Sequence, residues 1–139
     1  LVKGDIGIGL HPGHDLLVER LPAANPLLDW FESITDLEDR LPPDVLVLPA
    51  HGRPFVGAHE RLEHLRREHE QGLEKLRHLC REPRRAVDVF QALFRSRIDG
   101  RNLIMATGEA LSHLHYLREL GDIQRHADQN GVNWYRLRQ

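Results

Sequence analysis

The chain carries a single cysteine, a single methionine and only 6% aromatic residues. One cysteine excludes an intramolecular disulfide framework and suits a reducing compartment, so a cytoplasmic protein is expected. No apolar stretch approaches the ~20 residues that a membrane-crossing helix requires. There is no G-x-S-x-G elbow and no thiol placed as a nucleophile, which removes the common covalent hydrolase patterns. Internal repeats and low-complexity segments are also missing. The opening, Leu1-Val2-Lys3-Gly4-Asp5, has no initiator Met and no basic-then-apolar signal arrangement. It reads as the inside of a strand, so the expectation is a C-terminal piece of a longer protein whose N-terminal portion is a missing partner.

What is present is globular in composition. The 139 residues suffice for one ordinary domain or two small ones, with 40% apolar and 29% charged side chains. The net charge of −2 hides a split: residues 1–83 carry ten Lys/Arg against fifteen Asp/Glu, and residues 84–139 nine against six. The mild basic bias of the second part permits contact with a polyanion without requiring it.

Elements follow from periodicity and punctuation. Leu1-Val2-Lys3 reads as a strand tail, and Ile6 to Leu21, with three glycines and a proline, as a loop. Asn25-Pro26 opens a helix through a capping side chain and a proline at the first helical position. Leu27, Trp30, Phe31, Ile34, Leu37 and Leu41 give that helix an apolar face, and Pro42-Pro43 stops it. The nearly all-apolar run Val45–Leu48 predicts a strand covered on both faces. A long helix is expected from about His59 to Cys80, with Leu62, Leu65, His69, Leu73, Leu76 and Leu79 on its apolar stripe. After Glu82-Pro83 come a short helix over Arg85–Phe94 and a longer one from Asn102 to Leu120, capped by Gly121. Asn130-Gly131 between two β-prone runs predicts a closing hairpin. Helices followed by a hairpin suggest a winged helix. The expected fold is thus an α/β portion over residues 1–82 and a mostly α winged-helix domain over 83–139.

Chemistry concentrates at Asp5 and His51. Each follows a predicted strand, and a right-handed crossover would bring both strand tips to one edge of a parallel sheet. A carboxylate and an imidazole there suit a divalent metal with nitrogen and oxygen ligands. From spacing alone, two ordinary turn residues are the better account of them. His59 and His64 are five apart, about 140° around a helix, and so do not form a zincin pair.

Gly4-Asp5, the Asn25-Pro26-Leu27 helix start with Ser33, and Leu46-Val47-Leu48-Pro49-Ala50-His51-Gly52-Arg53-Pro54-Phe55 together resemble the C-terminal half of a metallo-β-lactamase-fold hydrolase, an αββα sandwich. Glu109-Ala110-Leu111 followed by His113-Leu114-His115-Tyr116-Leu117, ahead of the hairpin, is similar to the winged-helix domain appended to one branch of that family. That branch holds hydroxyacylglutathione-hydrolase-like proteins and an endoribonuclease. The resemblance implies that Asp5 is the carboxylate bridging a binuclear zinc centre and that His51 is the last histidine ligand of the second site. It implies a metal-bound water as nucleophile, acting on a thioester or ester in a small-molecule substrate. The family's H-x-H-x-D-H motif has no counterpart here, so Asp5 and His51 leave the metals under-coordinated. This fragment alone is expected to be inactive, whatever the activity of the full-length protein.

The alternative reading is a nucleic-acid-binding or RNA-cleaving protein whose winged helix positions substrate. The helix Asn102–Leu120 would then present Arg101, His113 and Arg118, with Glu109 and Ser112, on its exposed side. That face is mixed in charge, which favours a packing role against the hydrolase domain or in a homo-oligomer.

Overall fold

The structure is a computed structural model and describes residues 24–139. The expected strand at Leu1–Lys3, the following loop and Asp5 lie outside the described residues.

Helix α1 spans Pro26–Arg40. The Asn25 side chain accepts a hydrogen bond from the Leu28 amide at 3.3 Å, and Pro26 occupies the first turn. Leu27, Phe31 and Ile34 form its buried face. The chain then turns extended at Leu41, ahead of Pro42-Pro43.

The segment after α1 departs from expectation. Val47 alone is deeply buried, and it pairs with Phe55 through an isolated antiparallel bridge with N···O distances of 2.8 and 3.1 Å. Leu46 is 54% exposed and Leu48 39%. Among the described residues this run is therefore no doubly covered strand: no neighbouring strand flanks it, and alternate side chains face outward. No parallel strand pair occurs among the described residues, where the one named sheet is an antiparallel hairpin.

Helix α2, Ala58–Leu79, is the long helix anticipated. Its outer face carries the Glu63–Arg67 ion pair. Arg66 fastens it to α1 by donating to Glu38 at 2.9 Å and Thr35 at 3.0 Å. After α2 the chain crosses Arg84, makes a 3-10 turn at Ala86–Val89 and a single α-helical turn, α3, at Phe90–Leu93. The expected continuous helix is split here into a 3-10 turn and an α-turn, and Asp88 caps the start by accepting from the Arg85 backbone N–H at 2.8 Å.

Helix α4 spans Leu103–Glu119. Gly121, at φ +82°, ends it, with its N–H bonded to the Arg118 carbonyl at 2.9 Å and that of Asp122 to Leu117 at 3.0 Å. This pair of bonds is a Schellman motif. Strands β1 (Ile123–Ala127) and β2 (Asn133–Leu137) then form the hairpin, in register Ile123↔Leu137 to Ala127↔Asn133. Asp128 organises its loop: one carboxylate oxygen accepts from the amides of Asn130 and Val132, the other from the Trp134 indole at 3.1 Å. These bonds, the Trp134 one foremost, hold the Asp128 carboxyl below its ordinary pKa. On the far side of β2, Arg84 bridges Tyr135 through N···O distances of 2.9 and 2.7 Å.

The main core gathers Leu27 and Phe31 of α1, Leu73 and Leu76 of α2, Cys80, Val89, Ala110, Leu114 and Leu117 of α4, and Ile123 and Tyr135 of the hairpin. A smaller cluster of Ile34, Leu41, Val47, Ala58 and Leu62 joins α1, the Val47 bridge and the start of α2. Tyr135 is thus a core residue. The sites where α4 was expected to face solvent are corrected: Ser112 is fully buried and His113 is 1% exposed, because α4 is enclosed by α2, the 3-10 turn and the hairpin. Leu103, in the first turn of α4, is 44% exposed.

Candidate functional site

His51 sits on the loop that the Val47–Phe55 bridge closes, immediately before Gly52 at φ +97°. A left-handed backbone there favours glycine, so the His-Gly order is a requirement of the turn. The His51 imidazole is exposed. It belongs to no group of three metal-ligating side chains among the described residues. A catalytic zinc takes three protein ligands plus water, so the described residues around His51 do not by themselves fit one.

Three other side chains do converge: His69 on α2, and Glu109 and His113 one turn apart on α4. Their ligand atoms lie within 4.8 Å of one another. Gly72 lies where α2 faces His113 and Leu93. A Cβ at that position would stand 3.0 Å from the Leu93 side chain and 3.5 Å from His113 Nε2. His113 Nδ1 donates to the Glu109 carbonyl oxygen at 2.8 Å, which leaves Nε2 with its lone pair. His69 Nδ1 lies 3.1 Å from that lone pair and donates to it. The rings are nearly stacked, with centroids 5.1 Å apart, and Trp30 packs edge-on against His69 at 4.3 Å. Burial drives the pKa of His69 down to about 4, against a smaller opposing pull from Glu68. Burial, with His69 alongside, drives that of His113 to about 3. Both imidazoles are neutral at pH 7 and therefore able to act as ligands.

Neither histidine was singled out as a ligand by sequence reasoning. The signal was present: His69 occupies the α2 apolar stripe, and His113 falls in the series Ala106, Ala110, His113, Leu117, the three- and four-residue spacing of a buried helical face.

The remaining candidates are held in local contacts. Arg101 is exposed and paired with Asp99 at 2.9 Å. Arg118 bonds Glu119 at 3.0 Å and donates to His115 Nδ1 at 2.9 Å. With His113 buried, the three do not form one accessible face. His59 donates to the Leu41 carbonyl at 2.8 Å, and His64 faces Glu68 on the outside of α2, as their spacing indicated. Cys80 is buried, and burial raises its thiol to about 11, which makes it an inert core residue.

Residues 73–138 match the family described as metallo-beta-lactamase-like, C-terminal domain. That match takes in under half of the chain, and together with the fold it makes the chain similar to the C-terminal region of metallo-β-lactamase-like proteins. Two solved structures are similar. A beta-lactamase domain protein from Burkholderia ambifaria is 33% identical over 99% of this chain, with a TM-score of 0.80. A metallo-beta-lactamase family protein from Thermus thermophilus is 30% identical over 82% of it, with a TM-score of 0.68. The chain spans 41% and 34% of the lengths of those two proteins. No curated protein matches it.

Proposed function

We propose that this chain is the C-terminal part of a metal-dependent hydrolase, with a binuclear zinc centre and a thioester or ester of a small molecule as substrate. The observation that carries the reading is the Leu48-Pro49-Ala50-His51-Gly52 block, delivered by the bridge between Val47 and Phe55, followed by the matched C-terminal domain. In this reading Asp5 and His51 are zinc ligands and the remaining ligands come from the rest of the complete protein. The fragment alone is inactive, since one exposed imidazole among the described residues leaves a catalytic zinc without most of its ligands. Residues 1–82 complete the hydrolase domain, and residues 83–139 form an appended winged-helix module that packs rather than reads nucleic acid. The buried Cys80 accords with a cytoplasmic protein.

The test is thioester hydrolysis by the complete protein, zinc-loaded, with and without His51→Ala. Loss of a metal ligand is expected to lower kcat/KM by at least about 100-fold, on the scale of removing one transition-state donor. Unchanged turnover in His51→Ala, or robust turnover by the 139-residue chain alone, overturns the reading.

A further inference from the structure

We infer that His69, Glu109 and His113 form a second metal site, a clamp for one divalent zinc-class cation between α2 and α4. The inference does not rest on the hydrolase reading, since His51 is not among its ligands.

Three features carry it. The donor set is two imidazoles and a carboxylate, the combination that borderline divalent ions take, with one position left for water. The spacing fits: His69 Nδ1 and His113 Nε2 are 3.1 Å apart. Tetrahedral zinc with bonds of about 2.0–2.1 Å places two ligand nitrogens roughly 3.3–3.4 Å apart. The rings need to part by a few tenths of an ångström and to turn until both lone pairs point to one side of the line between the nitrogens, and Glu109, partly exposed on its flexible stem, closes the remaining distance. Third, the orienting bond is already made. His113 donates its other ring N–H to the Glu109 carbonyl at 2.8 Å, the arrangement that fixes the tautomer of metal-bound histidines.

Binding balances without a net change in protons. In the metal-free protein the His69 Nδ1–H donates to His113 Nε2. With metal bound, that proton moves to His69 Nε2 and both facing lone pairs go to the cation. The cation would couple α2 directly to α4 and so stiffen the join at which the C-terminal domain meets the long helix.

The test uses the 139-residue chain bearing His51→Ala, titrated with Zn²⁺ by calorimetry and with Co²⁺ by visible absorption. One equivalent is expected, with the intense bands of four-coordinate Co²⁺ and a rise in melting temperature on adding Zn²⁺. Adding Glu109→Gln is expected to weaken binding about tenfold or more, and adding His69→Gln to abolish the Co²⁺ bands. Glu109→Gln keeps a helix-compatible, partly exposed side chain, so it reads the site even if the buried histidine variants unfold. Absence of binding in the His51→Ala chain, or binding equal in the Glu109→Gln chain, overturns the inference.

Discussion

At the scale of single residues, the least ordinary feature is a pair of imidazoles buried against each other. Their folded pKa values, about 4 and about 3, lie below the ordinary value of 6.5. Between roughly pH 4 and 6.5 the unfolded chain binds protons that the folded chain refuses, so stability falls as pH drops through that window and levels off above it. Each imidazole costs up to about 2 kcal/mol at pH 5. Denaturant unfolding at pH 7.5 and pH 5.0 is expected to show a smaller acid loss in His113→Gln than in the parent chain. An identical loss in both would mean that other groups set the pH dependence. The sequence displayed these residues without revealing their relation. His69 was read on the apolar stripe of its helix, whereas His113 was placed on the exposed side of α4, where the structure instead buries it. That the two stripes meet at Gly72 depends on a helix crossing that no local spacing encodes.

At the scale of elements, punctuation proved the most legible signal. Asn25-Pro26, Pro42-Pro43, Gly121 and Asn130-Gly131 all act at the boundaries expected of them, because capping and turn geometry are decided within a few residues. Val45–Leu48 was not legible in the same way. Its apolar run was consistent with a strand buried on both faces, but burial depends on neighbours supplied by distant chain, and among the described residues only Val47 finds one. His51 was readable as the tip of that segment, whereas the ligands that would complete its site cannot be read from it. The Gly121 cap supplies a direct check on the local reasoning. Its φ of +82° places any other residue in the left-handed region, while its missing Cβ has room, the nearest atom being Arg138 Nη1 at 3.6 Å. Gly121→Ala is therefore expected to cost about 1 kcal/mol of stability through backbone strain alone, and Gly121→Asn less. Chemical denaturation measures both, and an alanine variant as stable as the parent would remove the left-handed cap from the account.

At the scale of the molecule, the two parts of the chain share material across the boundary proposed at Pro83. The last turns of α2 contribute Leu73, Leu76 and Cys80 to the core that also holds Val89, Leu114, Leu117, Ile123 and Tyr135. The Cys80 carbonyl accepts from the Leu137 amide, and Arg77 donates to Asp122 at 2.7 Å, so the end of α2 is bonded to both sides of the hairpin's open end. The family match accordingly begins at residue 73, inside the helix. A chain cut at residue 83 keeps its hairpin and α4 but loses five buried apolar side chains of that core, Leu27 and Phe31 of α1 with Leu73, Leu76 and Cys80. Each large one contributes on the order of 2–5 kcal/mol in a well-packed core, comparable to the whole stability of a domain this small. Residues 83–139 alone are thus expected to give a broad, non-cooperative thermal transition, and residues 58–139 a cooperative one, because the second restores the α2 face against which α4 packs. Circular dichroism melts of the two fragments decide the matter. A sharp transition in the shorter one would show that the C-terminal module closes its own core and that α2 docks on it from outside.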